Sequence, residues 1–206
     1  MWRYIYITVH SETFDEHIFH LRTVFVALAN ANLKVNAEKC TWFSRKIKLL
    51  GHVISKNHIA MDPAKIEAIK SRIPPTNVKQ VQQYLGICNY YRRFIQDFSK
   101  IASPLFQLLQ KDKKWEWTSE HQCAFDALKD KLVSYPILRH PVRNRTFWLH
   151  TDASGYALGA VLSQKDPEDD KEYVVAYASR MLKGAELHYG ITEKECLAVV
   201  YAIKIV

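Results

Sequence analysis

The C-terminal part of the chain opens with TFWLHTDASGYALGAVLSQ, residues 146–164, where helical periodicity gives way to strand patterns. β-Branched and aromatic residues predict strands over 146–152, 156–164 and 172–178, with the acidic loop KDPEDDK before the third. A helix is predicted from Thr192 to the end of the chain. Three strands followed by one helix constrain the fold of this part more than any other pattern in the sequence.

One acid, Asp152, stands at the end of the first of these strands. A buried carboxylate is costly unless it is paired, hydrogen-bonded or bound to a metal. Asp152 is therefore interpreted either as a structural turn residue or as part of a metal site. Thr192 and Glu195 have the spacing of a capping box, which leaves Glu193 to point elsewhere. Acids in a first helical turn are also favoured by the helix dipole alone, so both interpretations of these glutamates remain open.

The preceding residues read as helices with a small group of strands. A strand is predicted over 4–10. Ser11 or Thr13 is the predicted N-cap of an amphipathic helix over 14–31, and Glu16 completes a capping-box pattern with Thr13. Short strands are predicted over 33–35, 39–43, 47–54 and 58–61, with Gly51 as a turn residue. Asp62-Pro63 begins a helix that runs to about Arg72, and Thr76 or Asn77 caps the next one. A further helix is predicted over 119–134, and Pro136 and Pro141 bracket an apparent linker that contains Arg139, Arg143 and Arg145.

Charge is distributed unevenly along the chain, whose net charge is +8. Residues 1–146 carry 23 Lys/Arg against 12 Asp/Glu, and residues 147–206 carry 6 against 9. This pattern favours a polyanionic partner for the basic part and a cation site in the acidic part, although solvated surface charge explains it as well. The 4 cysteines form no CxxC pair, which predicts reduced, mostly buried thiols. No apolar run is long enough to span a bilayer and no signal-peptide layout is present, so we expect an intracellular protein.

The segment YLGICNYYRRFIQDFSKIASPL, residues 84–105, is rich in tyrosine and in basic residues. Packing is the alternative to binding for at least half of these aromatic residues, with Tyr84, Leu85, Tyr91 and Phe94 as candidate core residues. Trp115 and Trp117 are likewise predicted to pack. The His17/His20 pair has metal-like spacing on a helix but lacks a third ligand, and it is interpreted as surface.

Two long segments carry a resemblance to a known family. HTDASGYALGAVLSQ and YASRMLKGAELHYGITEKECLAVVYAI resemble the ribonuclease H segment of gypsy-type LTR retrotransposon polymerases. KVNAEKCTWF and the run from GHVISKNHIAMD through YLGICNYYRRFIQDFSKIASPL resemble the palm end, thumb and connection of the same reverse transcriptases. The resemblance implies a palm end over 1–61, a thumb and connection over 62–145, and the first part of a ribonuclease H-like domain over 146–206. The implied fold class is an α+β palm end and helical thumb/connection, followed by an incomplete α/β ribonuclease H-like domain with a mixed sheet.

The same resemblance assigns site residues. It makes Asp152 and Glu195 catalytic carboxylates that bind Mg²⁺ or Mn²⁺, and it places a third carboxylate on a strand beyond Val206. The family's Tyr-x-Asp-Asp polymerase motif would fall at Tyr4 to Ile7, where no aspartate stands. Nucleic-acid contacts are implied for a set of thumb residues: Lys79, Tyr90, Tyr91, Arg92, Arg93 and Lys100.

Three hypotheses follow from these observations. The intact parent is implied to be an RNA-directed DNA polymerase with ribonuclease H activity, and this chain an enzyme at least within a longer assembly. Alternatively the chain is a non-catalytic module that binds RNA–DNA hybrid or duplex nucleic acid, or a decayed fragment truncated at both ends. The expected partners are nucleic acid and the rest of a Pol polyprotein, with no membrane.

Overall fold

The computed structural model describes residues 7–111, 113–134 and 137–205, and the chain divides into two compact units, Met1–Ser44 and Arg45–Val206. The predicted strand over 4–10 lies partly outside the described residues, and its described part, residues 7–10, has no regular structure. Tyr4, Ile5 and Tyr6, where the polymerase motif was sought, also lie outside the described residues, as does Pro136.

The first unit is built on helix α1, Phe14–Asn30. Thr13 and Glu16 form the predicted capping box, in which each side chain accepts a hydrogen bond from the other residue's backbone N–H. Nδ1 of His17 and Nδ1 of His20 both hydrogen-bond to the hydroxyl of Ser11.

The strands predicted over 33–35 and 39–43 are wrong. A single 3-10 turn, Ala37–Lys39, interrupts this segment, which otherwise has no regular structure. Its aromatic residues pack on α1 instead of on a sheet. The ring centroid of Phe43 lies 5.3 Å from that of Phe14, and that of Trp42 lies 5.8 Å from that of Phe25.

The second unit begins with an antiparallel sheet of β1 (Lys46–Leu49), β2 (His52–Ser55) and β3 (His58–Met61). The single strand predicted over 47–54 is in fact a hairpin. Leu50 and Gly51 take positive φ values of 48° and 77°, which a continuous strand does not permit. Gly51 is thus the turn residue that the sequence indicated.

Four helices follow: α2 (Pro63–Lys70), α3 (Val78–Tyr90), α4 (Phe98–Gln107) and α5 (Ser119–Val133). The side chains of Asp62 and Asn77 cap α2 and α3, and α2 ends before the predicted Arg72. Together they enclose the main core, which includes Tyr84, Leu85, Tyr91, Phe94, Phe125, Leu128 and Leu132. Trp115 and Trp117 pack against this core, as predicted.

The segment predicted as a linker is part of the fold. Its strand β4, Leu138–Arg139, pairs antiparallel with β3 and adds a fourth strand to the first sheet. The side chain of Leu138 is buried in the main core, so burial fixes a segment whose prolines and arginines suggested exposure.

A second sheet contains β5 (Trp148–Ala153), β6 (Ala157–Lys165) and β7 (Glu172–Met181), followed by α6 (Ile191–Ile205). The described strands are antiparallel throughout, in contrast to the mixed sheet that was expected. The short connections between them permit only antiparallel neighbours. α6 packs on one face of the sheet around Leu158, Leu182, Ala198 and Tyr201.

All 4 cysteines are free thiols, but only Cys88 is buried, so the prediction of mostly buried thiols is wrong. Within the described residues, no helix combines the length and apolar character needed to cross a bilayer.

Candidate functional site

Asp152 lies near the end of β5 with its side chain exposed. Its partner on β6 is Gly159, and the partner of Gly159 on β7 is Ser179, so the three residues form one row across the sheet. The hydroxyl of Ser154 closes the following turn, because it donates to the carbonyl of Ala157 at 3.0 Å and accepts from the Ala157 N–H at 3.0 Å. The turn residue is therefore Ser154, and Asp152 has no role in closing the turn.

A small cavity opens beside this row. Its lining includes Asp97, Lys100, Asp152, Ser154, Gly159 and Ser179, and we call it the Asp152 cavity. The side chain of Asp152 forms no hydrogen bond or salt bridge with any described residue. Its carboxylate oxygens are therefore available to a cation or to a ligand.

Helix α4 supplies the opposite wall of the cavity. The buried Ser99 is tied to Ser179, whose hydroxyl accepts from the Ser99 N–H at 2.9 Å and donates to the Ser99 hydroxyl at 3.1 Å. Asp97 precedes the helix in the left-handed region, with φ of 58°, and does not cap it. A Cβ atom at Gly159 would lie only 3.1 Å from Oδ1 of Asp97, so the bare glycine allows this close approach.

Glu195, the second predicted metal ligand, is half-buried in the first turns of α6 and does not line the Asp152 cavity. The predicted capping box at Thr192 and Glu195 is wrong. The helix begins one residue earlier, and the side chain of Glu193 accepts from the N–H of Gly190 at 2.7 Å. The described residues contain no group of three or more His, Cys, Asp or Glu side chains that could hold a metal ion.

Two predicted contact residues, Tyr90 and Tyr91, hold the β1–β2 hairpin. Their hydroxyls donate to the carbonyls of Leu50 and Gly51, respectively. Tyr91 is only 3% exposed, whereas Tyr90 is 52% exposed. Burial thus supports the alternative considered from the sequence, that part of this aromatic segment is core, and it leaves Tyr90 with an accessible ring face.

His52 sits within this aromatic group. Its ring centroid lies 5.4–5.7 Å from the centroids of Tyr90, Tyr91 and Phe94. Burial lowers the pKa of His52, and the neighbouring Arg93 acts in the same direction, against a hydrogen bond to the Leu50 carbonyl that raises it. The packing keeps the hairpin fixed beside the basic residues.

The predicted cationic contacts Lys79, Arg92, Arg93 and Lys100 are all exposed. None of the four side chains forms a salt bridge with a described carboxylate. Arg92 and Arg93 occupy a 3-10 turn, Arg92–Phe94, whose third residue is anchored in the core. Arg92 is also close enough to the buried Tyr201 of α6 to oppose the rise in pKa that burial causes there. Free cations on an anchored turn are suited to bind phosphate oxygens.

Sequence reasoning missed Asp97 and Ser179. An aspartate just before a helix is typical of an N-cap, and no local pattern indicates that Asp97 instead faces Gly159. Ser179 stands on a strand with no special signal. Asp97 and Ser179 line the Asp152 cavity only because α4 packs against the second sheet.

The C-terminal part of the chain matches a known family model. Residues 117–206 match the family model "RNase H-like domain found in reverse transcriptase". The Tf2-3 and Tf2-4 transposon polyproteins of Schizosaccharomyces pombe (strain 972 / ATCC 24843) are each 39% identical to this chain over 198 residues, or 96% of its length. The chain spans 15% of the length of each of these relatives.

Solved structures show the same fold. The foamy viral protease-reverse transcriptase in complex with an RNA/DNA hybrid superposes with a TM-score of 0.79 at 24% identity, covering 95% of this chain and 26% of that one. Its dRH form in complex with double-stranded DNA gives 0.78 at 24% identity, covering 95% and 34%. Residues 117–206 thus match the RNase H-like domain found in reverse transcriptase, within a chain that is similar over nearly its whole length to retrotransposon polyproteins.

Proposed function

We propose that this chain is the part of a gypsy-type retrotransposon reverse transcriptase that binds RNA–DNA hybrid and presents it to a ribonuclease H-like site. The observation that carries the proposal is Asp152, whose unpaired carboxylate lines a cavity in the domain that matches the RNase H-like family model. The foamy viral structures with bound RNA/DNA hybrid and double-stranded DNA support the substrate class. The domain division is proposed as palm end over 1–61, thumb and connection over 62–145, and ribonuclease H-like domain over 146–206.

Divalent metal is the cofactor that this proposal requires. Carboxylate oxygens are the ligands Mg²⁺ prefers, and one or two carboxylates often suffice when phosphate oxygens and water complete the shell. Asp152 fits this chemistry, and Glu195 is proposed as its partner from the neighbouring helix. The bound ion would supply the activation of water and the stabilisation of the leaving oxygen.

The chain's own residues bind and orient the hybrid. Arg92 and Arg93 are proposed to contact backbone phosphates, with Lys79, Lys100 and the exposed face of Tyr90 beside them. Phosphate contacts set position along a duplex and do not read its sequence. The proposed activity excludes nucleotide incorporation, because residues 4–7 are Tyr, Ile, Tyr and Ile where the polymerase needs two aspartates.

Cleavage of a hybrid tests the proposal. The purified chain is incubated with Mg²⁺ or Mn²⁺ and a hybrid that carries labelled RNA. We expect Asp152→Asn to reduce cleavage at least about 100-fold, since even outer-shell partners of a metal are typically worth 10–100-fold. Asp130→Asn removes a matched exposed carboxylate from α5 and should leave cleavage unchanged.

A second function, non-catalytic binding, is favoured by the exposed and unpaired arginines. If the unchanged chain binds the hybrid but does not cut it, the catalytic proposal is wrong and the binding function stands. If it neither binds nor cuts, both are wrong.

A further inference from the structure

One side chain that lines the Asp152 cavity is a cation, Lys100. It lies on α4, outside the segment that matches the RNase H-like family model. Lys100 is exposed, and its ammonium forms no hydrogen bond or salt bridge with any described residue. Asp97 and Asp152 line the same cavity, and neither carboxylate lies within salt-bridge distance of this ammonium.

Helix α4 holds Lys100 in this place firmly. Ser99, the residue just before it, is 6% exposed and is joined by two hydrogen bonds to Ser179, which is 5% exposed. Ser179 belongs to the row that contains Asp152 and Gly159. The backbone at Lys100 is thus fixed relative to the strand that carries Asp152.

The charges that line the cavity favour a role for Lys100 in binding a phosphate of the hybrid. Two carboxylates, Asp97 and Asp152, present negative charge that repels the phosphates of an approaching hybrid. Lys100 is the cation that the described lining itself supplies beside these carboxylates, and its charge would add to that of a bound metal ion. An ammonium is a compact point charge with three donors on a flexible stem, which suits a phosphate whose exact position varies.

We propose that Lys100 is a substrate-positioning residue of the Asp152 site, where it holds a backbone phosphate of the hybrid next to the phosphodiester that faces Asp152. This inference rests on the proposed function and deepens it. It separates Lys100 from Arg92 and Arg93, which bind the duplex from an anchored turn, and assigns Lys100 to the place of cleavage itself.

Steady-state cleavage by the full chain tests the assignment. Lys100→Gln should raise KM about tenfold, the loss expected from one charge-assisted hydrogen bond, and should leave kcat nearly unchanged. Lys100→Arg keeps the charge and should restore most of the affinity. Lys131→Gln removes a matched exposed lysine of α5 and should leave both constants unchanged. An equal effect of Lys131→Gln, or a loss in kcat alone, would overturn the proposal.

A scan with single methylphosphonates, which neutralise one phosphate each, gives the position-specific readout. If Lys100 contacts one phosphate beside the cleaved bond, then neutralising that phosphate should weaken the unchanged chain and leave the Lys100→Gln variant unaffected. The contact would be rejected if no methylphosphonate affected the unchanged chain and the Lys100→Gln variant differently. It would also be rejected if all of them did so equally.

Measuring binding affinity instead of cleavage in the same scan separates the ribonuclease proposal from the proposed contact of Lys100 with a phosphate. If the unchanged chain binds but does not cleave, the proposed ribonuclease function fails. Coupling to a single phosphate in binding would then still support the contact, and its absence would reject it.

Discussion

At the scale of single residues, polar side chains explain best why the segment predicted as a linker is ordered. Gln164 is fully buried at the end of β6, where its Oε1 accepts from the Val142 N–H at 2.9 Å and from the Tyr173 hydroxyl at 3.1 Å. Its Nε2 donates to the Val142 carbonyl at 2.9 Å. These bonds fix the segment that was predicted as a linker. No local pattern reveals them, because the partners lie far apart in the sequence.

Arg139 also joins the segment that was predicted as a linker to the second sheet and the loop after β6, and this contact leads to a pH-dependent prediction. Its Nη1 lies 2.7 Å from Oδ2 of Asp166, and its guanidinium lies 4.1 Å from the ring centroid of Tyr173. The hydrogen bond from Arg139, assisted by the N–H of Glu168, lowers the pKa of Asp166 in the folded chain. A carboxyl group with a lowered pKa stabilises the fold above its unfolded pKa, and this stabilisation is lost as the pH falls through the folded value.

We therefore expect Arg139→Gln to lower the free energy of unfolding at neutral pH. The difference from the unchanged chain should begin to shrink as the pH falls below about 4, the ordinary pKa of an aspartate in an unfolded chain, and should shrink further as the pH falls through the lowered pKa of Asp166 in the folded chain. The contact with Tyr173 does not titrate, so a remainder should persist in acid. Urea unfolding at several pH values measures this, with Arg143→Gln as the exposed control. A difference that stays constant with pH would show that Asp166 does not contribute.

At the scale of elements, prediction succeeded where periodicity and capping agreed. α1 and α5 have apolar residues at helical spacing, and the capping box of α1 is present as predicted. Prediction failed for the short apolar segments after α1, because an apolar run of three to five residues is equally compatible with a strand and with packing on a helix. The N-terminus of α6 shows a subtler failure. TEKE fits a capping box, but the observed contact lies two residues earlier, where the side chain of Glu193 accepts from the N–H of Gly190.

This difference predicts how two neighbouring glutamates respond to substitution. Glu193→Ala should lower the free energy of unfolding by about 0.5–2 kcal/mol, the usual value of a helix cap. Glu195→Ala should change it by less than Glu193→Ala does, because the half-buried carboxylate of Glu195 forms no hydrogen bond with a described residue. Urea unfolding of both variants measures this. The reverse order would restore the capping box that the sequence suggested.

At the scale of the whole molecule, contacts between distant segments build the candidate site. Ser99 and Ser179, 80 residues apart, join α4 to the second sheet and so bring Asp97 and Lys100 to Asp152. The sequence could single out Asp152 only through the family resemblance, and its role in the site stays a prediction. Its surroundings were not predictable, because they depend on how α4 packs within the Arg45–Val206 unit. The unequal charge of the two parts was visible in the sequence, and the structure adds which cations are exposed.

The exposed arginines give the last prediction, which concerns how the whole chain binds nucleic acid. Each neutralised phosphate of a duplex contributes about 0.9 to the slope of log K against log salt concentration, because counterions are released. If Arg92 and Arg93 each contact one phosphate, replacing both with Gln should reduce the magnitude of that slope by roughly 1.8. Fluorescence anisotropy with a labelled RNA–DNA hybrid at several salt concentrations measures it. Lys131→Gln with Lys204→Gln removes the same charge from exposed positions on α5 and α6, and should change the slope far less. Equal changes in the two double variants would mean that net charge alone, and not the anchored turn, governs binding.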